Sequence, residues 1–190
     1  MKKIKIIALI GKSGAGKDYW LKRICANDTS VHEIISCTTR PARAGEIDGI
    51  NYHFLTDDQF LSQDFIEKCM FKGWRYGTRF QDLDQDKINI GVFNLAGAEQ
   101  LLKNPLIDLS IIRLVVSDRV RLIRQLERDT NCDIEEIFRR YKTDNEDFSL
   151  VKLANIKRGV GNEWYLAVAN EDNSDTSSII MDFIAEVKNK

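Results

Sequence analysis

Proline and histidine are nearly absent, with two of each in 190 residues. Two prolines and no low-complexity tract leave nothing that reads as an interdomain linker, so the chain is expected to form a single domain over 1–190, with room for a small inserted subdomain. Two histidines are too few to complete metal sites with the cysteines, because Cys25, Cys37, Cys69 and Cys132 stand far apart with no Cys-x-x-Cys pair. That spacing suits reduced thiols and a cytoplasmic protein. Net charge is lacking too: 28 Lys and Arg stand against 29 Asp and Glu, giving −1. No global positive field invites nucleic acid, so any anion must be bound locally. Nor does any apolar run approach the roughly 20 residues that span a bilayer, which excludes the membrane as a partner. The opening stretch 1–10 is basic and then apolar, like a signal peptide. Its apolar part stops at once in Gly11-Lys12 with no small-residue cleavage site, and it reads as a first strand.

What the chain does contain is 43% hydrophobic and 30% charged residues, an ordinary soluble composition. Apolar β-rich runs alternate with amphipathic ones, the pattern of an α/β domain with a parallel sheet. Strands are expected over 4–10, 31–36, 88–93, 109–116 and 165–169, and helices over 18–26, 95–103, 118–128, 134–156 and 176–187. The stretch 51–78 breaks this alternation. Short strands over 51–54 and 65–71 flank a short helix opened by Thr56-Asp57-Asp58-Gln59, whose Thr and Gln have capping-box form. This piece reads as an insertion with its own small sheet.

Gly11-Lys12-Ser13-Gly14-Ala15-Gly16-Lys17 fits the first seven positions of the phosphate-binding loop G-x-x-x-x-G-K-[ST] and follows directly on the first strand. Glycines let the backbone curl so that successive N–H groups point inward, the next helix presents its positive end, and Lys17 reaches the outer phosphates. One departure follows at once: Asp18 stands where a hydroxyl normally ligates magnesium. A solvated Gly-rich turn is the bland alternative, and the strand before and helix after argue against it.

The segment 38–52 sets Arg40 and Arg43 three residues apart in a loop full of turn residues, with no run of acids to neutralise them. Two isolated arginines would ordinarily mean a solvated basic loop. Here the run Ser36-x-Thr38-Thr39-Arg40-Pro41-x-Arg43-x-Gly45-Glu46-x-x-Gly49-x-x-Tyr52-x-Phe54, with Phe65-Ile66-Glu67 and Gly73-x-x-Tyr76-Gly77-Thr78 after it, closely resembles the nucleotide-monophosphate segment of guanylate kinases. The resemblance continues in order to Val168-Ala169-Asn170, and no Asn-Lys-x-Asp motif of GTPases occurs.

The resemblance implies a P-loop NTPase-like parallel sheet with a GMP-binding subdomain over about 33–90 and a lid over about 126–140, on a core of about 1–32, 91–125 and 141–190. It implies transfer of the γ-phosphoryl group of MgATP to GMP or dGMP. Arg40, Arg43, Tyr52 and Tyr76 would hold the acceptor phosphate, and guanidinium forks with phenol hydroxyls suit a dianion. Glu67 would read guanine, since one carboxylate can accept both N1–H and N2–H, whereas adenine would face it with a lone pair. Ser36 and Thr78 would also touch the base. The loop 11–17 with Asp18, Arg124 and Asn170 would bind ATP, while Lys17, Arg40, Arg128 and Arg140 would carry the charge of the migrating group. Taken alone, Glu67 is an outward residue of an alternating strand.

On the helix over 118–128, Arg121, Arg124 and Arg128 share one face and Leu122, Ile123 and Leu126 the other. The apolar side is expected to pack and the cationic side to need a partner. His32 and His53 are given bland roles, because a phosphate acceptor is already anionic. Val92 and Asn94 stand where the family leads one to expect aspartates. Either the metal site has decayed and the chain is a protein-binding module, or the Asp18 carboxylate has taken over magnesium. The second is the reading here, because magnesium beside triphosphate needs only one or two carboxylates. A kinase of different or broader base preference is the nearer alternative.

Overall fold

The computed structural model describes residues 2–71, 73–127, 133–171 and 175–190. Its centre is a five-stranded parallel sheet of order β2-β7-β1-β8-β9, formed by β1 (Ile4–Ile10), β2 (Val31–Glu33), β7 (Ile88–Val92), β8 (Ile107–Val115) and β9 (Tyr165–Ala169). β1 lies in the middle, and its apolar run from Ile6 to Ile10 follows from burial on both faces. Ile4, Ile6, Ala8 and Ile10 pack on one side, against Leu95, Ala98 and Leu101 of α3 (Leu95–Lys103) and Leu153 and Ile156 of α6 (Leu150–Val160). Ile7 and Leu9 pack on the other, against Trp20, Leu21 and Ile24 of α1 (Lys17–Asn27) and Ile180 and Ile184 of α7 (Thr176–Asn189).

A second sheet, order β4-β3-β6-β5, is built from β3 (Cys37–Thr38), β4 (His53–Phe54), β5 (Phe65–Phe71) and β6 (Trp74–Arg79). β3 pairs parallel with β4 and antiparallel with β6, which pairs antiparallel with β5. The strand expected over 31–36 ends at Glu33, since the chain leaves the first sheet there to enter the second. α2 (Asp57–Leu61) starts at the expected capping box, with the Thr56 hydroxyl accepting from Gln59 N and the Gln59 side chain accepting from Thr56 N. The small sheet is tied to the core through α3. Gln100 behaves as an extra strand residue, its Oε1 accepting from Lys68 N at 3.0 Å and its Nε2 donating to Lys68 O at 2.9 Å.

The helix expected over 134–156 is two helices, α5 (Ile134–Asp147) and α6. Phe148 leaves helical geometry with its N–H still on Asp144 O, and Ser149 takes the extended backbone of a new N-cap. No proline or glycine marks this corner, so composition gives no warning of it. The expectation for α4 (Asp118–Glu127) is overturned. Arg121 is fully buried, whereas Ile123 and Leu126 are 41% and 44% exposed. The arginine face docks because it finds acids there: Arg121 Nε donates to Asp118 at 2.7 Å, Nη1 donates to Asp144 of α5 at 3.3 Å, and the guanidinium lies 4.5 Å from the centre of the Tyr141 ring. Arg128 lies outside the described residues.

This inversion makes a stability prediction. Arg121→Met should cost about 2–4 kcal/mol, because it strips two carboxylates of their buried partner. Ile123→Ala and Leu126→Ala should each stay within about 1 kcal/mol at such exposed positions. Urea unfolding of the three variants decides it, and the reverse order would restore the apolar face as the docking face.

Candidate active site

The phosphate-loop sequence leaves β1 at the edge where α1 begins. Its glycines are there for space as well as for backbone freedom. A Cβ on Gly14, at φ +81°, would stand 2.4 Å from Arg121 O, and one on Gly16, at φ +88°, would stand 2.7 Å from Asn170 Nδ2. The loop is therefore pressed between α4 and the end of β9. Lys17 folds back over it, donating from Nζ to Gly11 O at 2.7 Å and Lys12 O at 3.3 Å. Burial holds its pKa below the usual lysine value, against the opposing pull of Asp18 and Asp144, while the nearby Arg140 guanidinium lowers it further. These carbonyls are the ammonium's internal acceptors, available for exchange with a stronger anion.

Sequence reasoning missed the acid that braces this loop. Asp144 Oδ2 accepts from Ser13 N at 2.8 Å, Oδ1 accepts from Ser13 Oγ at 3.3 Å, and Lys12 Nζ donates to the neighbouring Asn145 Oδ1. The available signal was its position four residues after Arg140, hence on the same helical face. Arg140 itself donates from Nε to Glu136 at 2.6 Å.

Beside the loop lies a cavity of about 460 Å³, lined among others by Gly16, Tyr19, Trp20, Arg124, Asn170 and Thr176. Asn170 is its hub: Nδ2 donates to Ala15 O at 2.8 Å, Oδ1 accepts from Trp20 Nε1 at 2.9 Å, and its carbonyl accepts from Arg124 Nη2 at 3.0 Å. The two expected residues Arg124 and Asn170 are thus brought together against the loop, with Asn170 also holding the loop in shape.

Across the cleft stands the second cluster. Gly45 and Gly49 take positive φ, at +83° and +73°, as the expected tight turns require. They bring Glu46 back onto Arg40, so an acid does neutralise this arginine. Arg40 Nη1 and Nη2 each donate to Glu46 at 2.9 Å, and Glu46 also accepts from Arg43 N at 2.8 Å. The pair depresses the Glu46 pKa and raises that of Arg40, to which the Tyr76 hydroxyl adds. The Arg40 guanidinium sits 5.5 Å and 5.8 Å from the Tyr52 and Phe54 ring centres, and Tyr52 meets Tyr76 edge-on at 6.0 Å. The Arg43 side chain is exposed. Burial, followed by the Asp18 charge, raises the Tyr52 phenol pKa.

Glu67 is 6% exposed rather than outward. A register shift between Phe65 and Glu67 breaks the alternation on which the outward reading rests. Burial pushes its carboxyl up to about 7, against hydrogen bonds from the Thr78 side chain and backbone that favour the charged form. A Cβ on Gly97 would come within 2.9 Å of Glu67 Oε2, so that glycine keeps the first turn of α3 open to the carboxylate. Ser36 Oγ and Thr78 Oγ1 lie 3.4 Å apart in the same recess. His32 Nε2 contacts Asp82 O at 3.0 Å and His53 lies 3.8 Å from the Asp82 carboxylate, both away from the cleft residues. Among the described residues no group of three or more His, Cys, Asp and Glu could hold a metal ion by itself, and no helix is long and apolar enough to cross a membrane.

The guanylate kinase family model matches residues 3–104. The guanylate kinase of Prochlorococcus marinus is 33% identical over 147 residues, covering 72% of this chain and 77% of that protein. Those of Chlorobium luteolum and Pseudomonas fluorescens are 40% identical over 81 residues and 38% identical over 99. The chain spans only 41% and 48% of their lengths. A crystal structure of guanylate kinase from Anaplasma phagocytophilum superposes with a TM-score of 0.62 at 18% identity, covering 100% of this chain and 88% of that one, and so shares the fold. With a matching family model over more than half its length and a relative matched over more than two thirds of its own, the chain belongs to the guanylate kinase family.

Proposed function

We propose that this protein transfers the γ-phosphoryl group of ATP to GMP or dGMP, giving ADP and the diphosphate. The observation that carries the reading is a pair of separate clusters, Lys17 folded over its loop and Arg40 among Tyr52 and Tyr76, which this reading sets on the two sides of one cleft, the Asp18 charge being felt at Tyr52. Such a cleft aligns a donor and an acceptor phosphate in line and neutralises their repulsion, which is most of what phosphoryl transfer asks of a protein. The acceptor oxygen is already anionic, so no general base is required. In this reading residues 33–90 form the acceptor-binding subdomain and 126–140 the lid, both hinged on the core 1–32, 91–125 and 141–190. Their closure would exclude the water that otherwise takes the phosphoryl group. Arg43, Ser36 and Thr78 complete the acceptor site, while Arg124, Arg140 and Asn170 serve the donor side, with which the resemblance also groups Arg128, outside the described residues. The thiols of Cys25, Cys37 and Cys69, none in a disulfide, support a cytoplasmic setting.

The residues present fit a magnesium ion that phosphate oxygens and water hold for the most part. Asp18 offers one exposed carboxylate next to Lys17 at the start of α1, and a carboxylate beside triphosphate would be repelled without a cation between them. When bound, the ion would neutralise charge on the donor phosphates. The Asp18 carboxylate would hold it in place, directly or through water.

A panel of nucleoside monophosphates with ATP and magnesium, read as ADP release, tests the reading: GMP and dGMP should far outrun AMP, CMP and UMP. Equal rates across the panel would favour the broader kinase, and GMP binding without any turnover would favour the protein-binding module. Glu67 adds a pH signature. Only its ionised form accepts both guanine N–H groups, and its carboxyl titrates at about 7. GMP affinity should therefore strengthen by up to about tenfold per pH unit below 7 and level off above it. Glu67→Gln should weaken GMP and leave only the pH dependence of the ligand's own phosphate, so KM profiles from pH 6 to 8.5 that coincide for both proteins would remove Glu67 from base reading. Asp18→Ala should raise the magnesium concentration for half-maximal rate while sparing GMP affinity, and Asp18→Ser should restore part of the loss. A magnesium titration identical to the parent's would leave Asp18 as a first-turn acid that stabilises the helix.

A further inference from the structure

Arg40 has five N–H donors, and three of them are spent inside the protein before any ligand arrives. Nη1 gives one hydrogen to Pro41 O at 2.8 Å and the other to Glu46 Oε2, and Nη2 gives one to Glu46 Oε1. Glu46 thus grips the end-on edge of the guanidinium. The side edge, made of Nε–H and the second Nη2 hydrogen, lies outside the grip of Pro41 and Glu46 as a pair of parallel donors, the geometry that donates to two oxygens of one phosphate, and the Tyr76 hydroxyl that hydrogen-bonds the guanidinium is the neutral partner such a phosphate would join or displace. The ring faces of Tyr52 and Phe54 flank the same guanidinium, and the Tyr76 hydroxyl lies against it. The carboxylate that fixes the fork also accepts from Arg43 N, so one side chain sets both the orientation of Arg40 and the turn that carries Arg43.

We propose that Glu46 is the positioning residue of the acceptor-phosphate site, clamping Arg40 end-on so that its Nε–Nη2 edge is aimed at the phosphate of the monophosphate substrate. The inference rests on the proposed function and deepens it. A competing effect has the opposite sign, since a carboxylate near a dianion repels it and its loss would strengthen phosphate binding. Position decides between the two. The Glu46 carboxylate lies beyond the guanidinium, on the edge turned away from the one left for phosphate, and its charge is compensated there by direct contact with the cation. An unclamped Arg40 would have to be ordered by the ligand itself, which reduces affinity. The ammonium of a lysine could not serve, having no second edge to offer.

The test uses calorimetric titration of the full chain with GMP and with guanosine, which keeps the base and sugar but lacks the phosphate. Glu46→Gln should weaken GMP about tenfold or more and leave guanosine unchanged, because a carboxamide sets an N–H₂ group against the guanidinium. In steady state KM for GMP should rise more than kcat falls. In an Arg40→Ala background, Glu46→Gln should add almost no further loss, since the Gln carbonyl can still accept from Arg43 N and the rest of its action runs through Arg40. Should the Gln variant fail to fold, Glu46→Asp, which keeps the charge but shortens the reach, should show the same selectivity for GMP over guanosine. Tighter GMP binding in Glu46→Gln would make the carboxylate a competitor of phosphate and overturn the proposal, as would equal weakening of guanosine or additive losses in the double variant. A parent that bound GMP with Glu46→Gln indistinguishable from it would sink the positioning role alone, whereas a parent that bound no GMP would sink the functional reading and this inference together.

Discussion

Cations crowded into one cleft must be held apart and in place before their ligands come, and this requirement shapes the whole structure. Each arginine or lysine facing the cleft repels the next, and a bare guanidinium in a half-buried place is costly. The protein answers with an internal acceptor for each: carbonyls of the loop for Lys17, Glu46 for Arg40, Glu136 for Arg140, and Asp118 with Asp144 for Arg121. The pairs differ in depth, and their roles follow from that. The deeply buried Arg121 contacts join α4, α5 and the phosphate loop into one body. Arg140 and Glu136 pair within α5 and stay partly exposed.

The parallel sheet sets where those cations can stand. β1 lies between β7 and β8, so the loop that leaves its end is surrounded on all sides by core elements. Ser13 rests on Asp144, Gly14 on Arg121 and Gly16 on Asn170. The phosphate-loop sequence is thereby braced by packed elements rather than standing as a free loop tip. The second cluster hangs on a separate four-stranded sheet, tied to the core through Gln100 and β5. The same seam brings the Glu67 strand against the first turn of α3, where Gly97 makes room for its carboxylate.

Much of this was legible from residue order, and the failures have physical causes. β1, α3, β5 and β9 fall where the apolar runs place them, and the capping box at Thr56 forms as written. Local chemistry specified these elements and tertiary contacts agreed with it. α4 failed because a hydrophobic wheel assumes that water is the only partner a charged face can have. Here Asp118, one turn back on the same helix, and Asp144 on α5 outbid water for Arg121, and Ile123 and Leu126 were left outside. The corner at 148–149 failed for want of proline or glycine. The arginine loop was read as lacking acids because Glu46 is single, yet the turns at Gly45 and Gly49 fold that one acid back onto Arg40. Glu67 was recognised through its motif, while its burial came from a register shift that no alternation pattern shows.

Asn94 shows how a departure from the family pattern can be paid back in packing. An aspartate is expected at this position, and either residue could cap α3 by accepting from Gly97 N, as the Asn94 Oδ1 does at 2.7 Å. Only the carboxamide can also donate, and its Nδ2 does so to Cys69 Sγ on β5 at 3.3 Å. Two residues from Cys69 along the strand, the Glu67 carboxylate lies against Gly97 in the same first turn of α3. An aspartate at 94 would bring a second negative charge towards a carboxyl already raised to about 7, and would raise it further. The neutral amide keeps the cap, adds a link between helix and strand, and spares Glu67 a like charge. An amide at 94 therefore favours the ionisation of Glu67 relative to an aspartate there, while keeping both the cap of α3 and its link to β5.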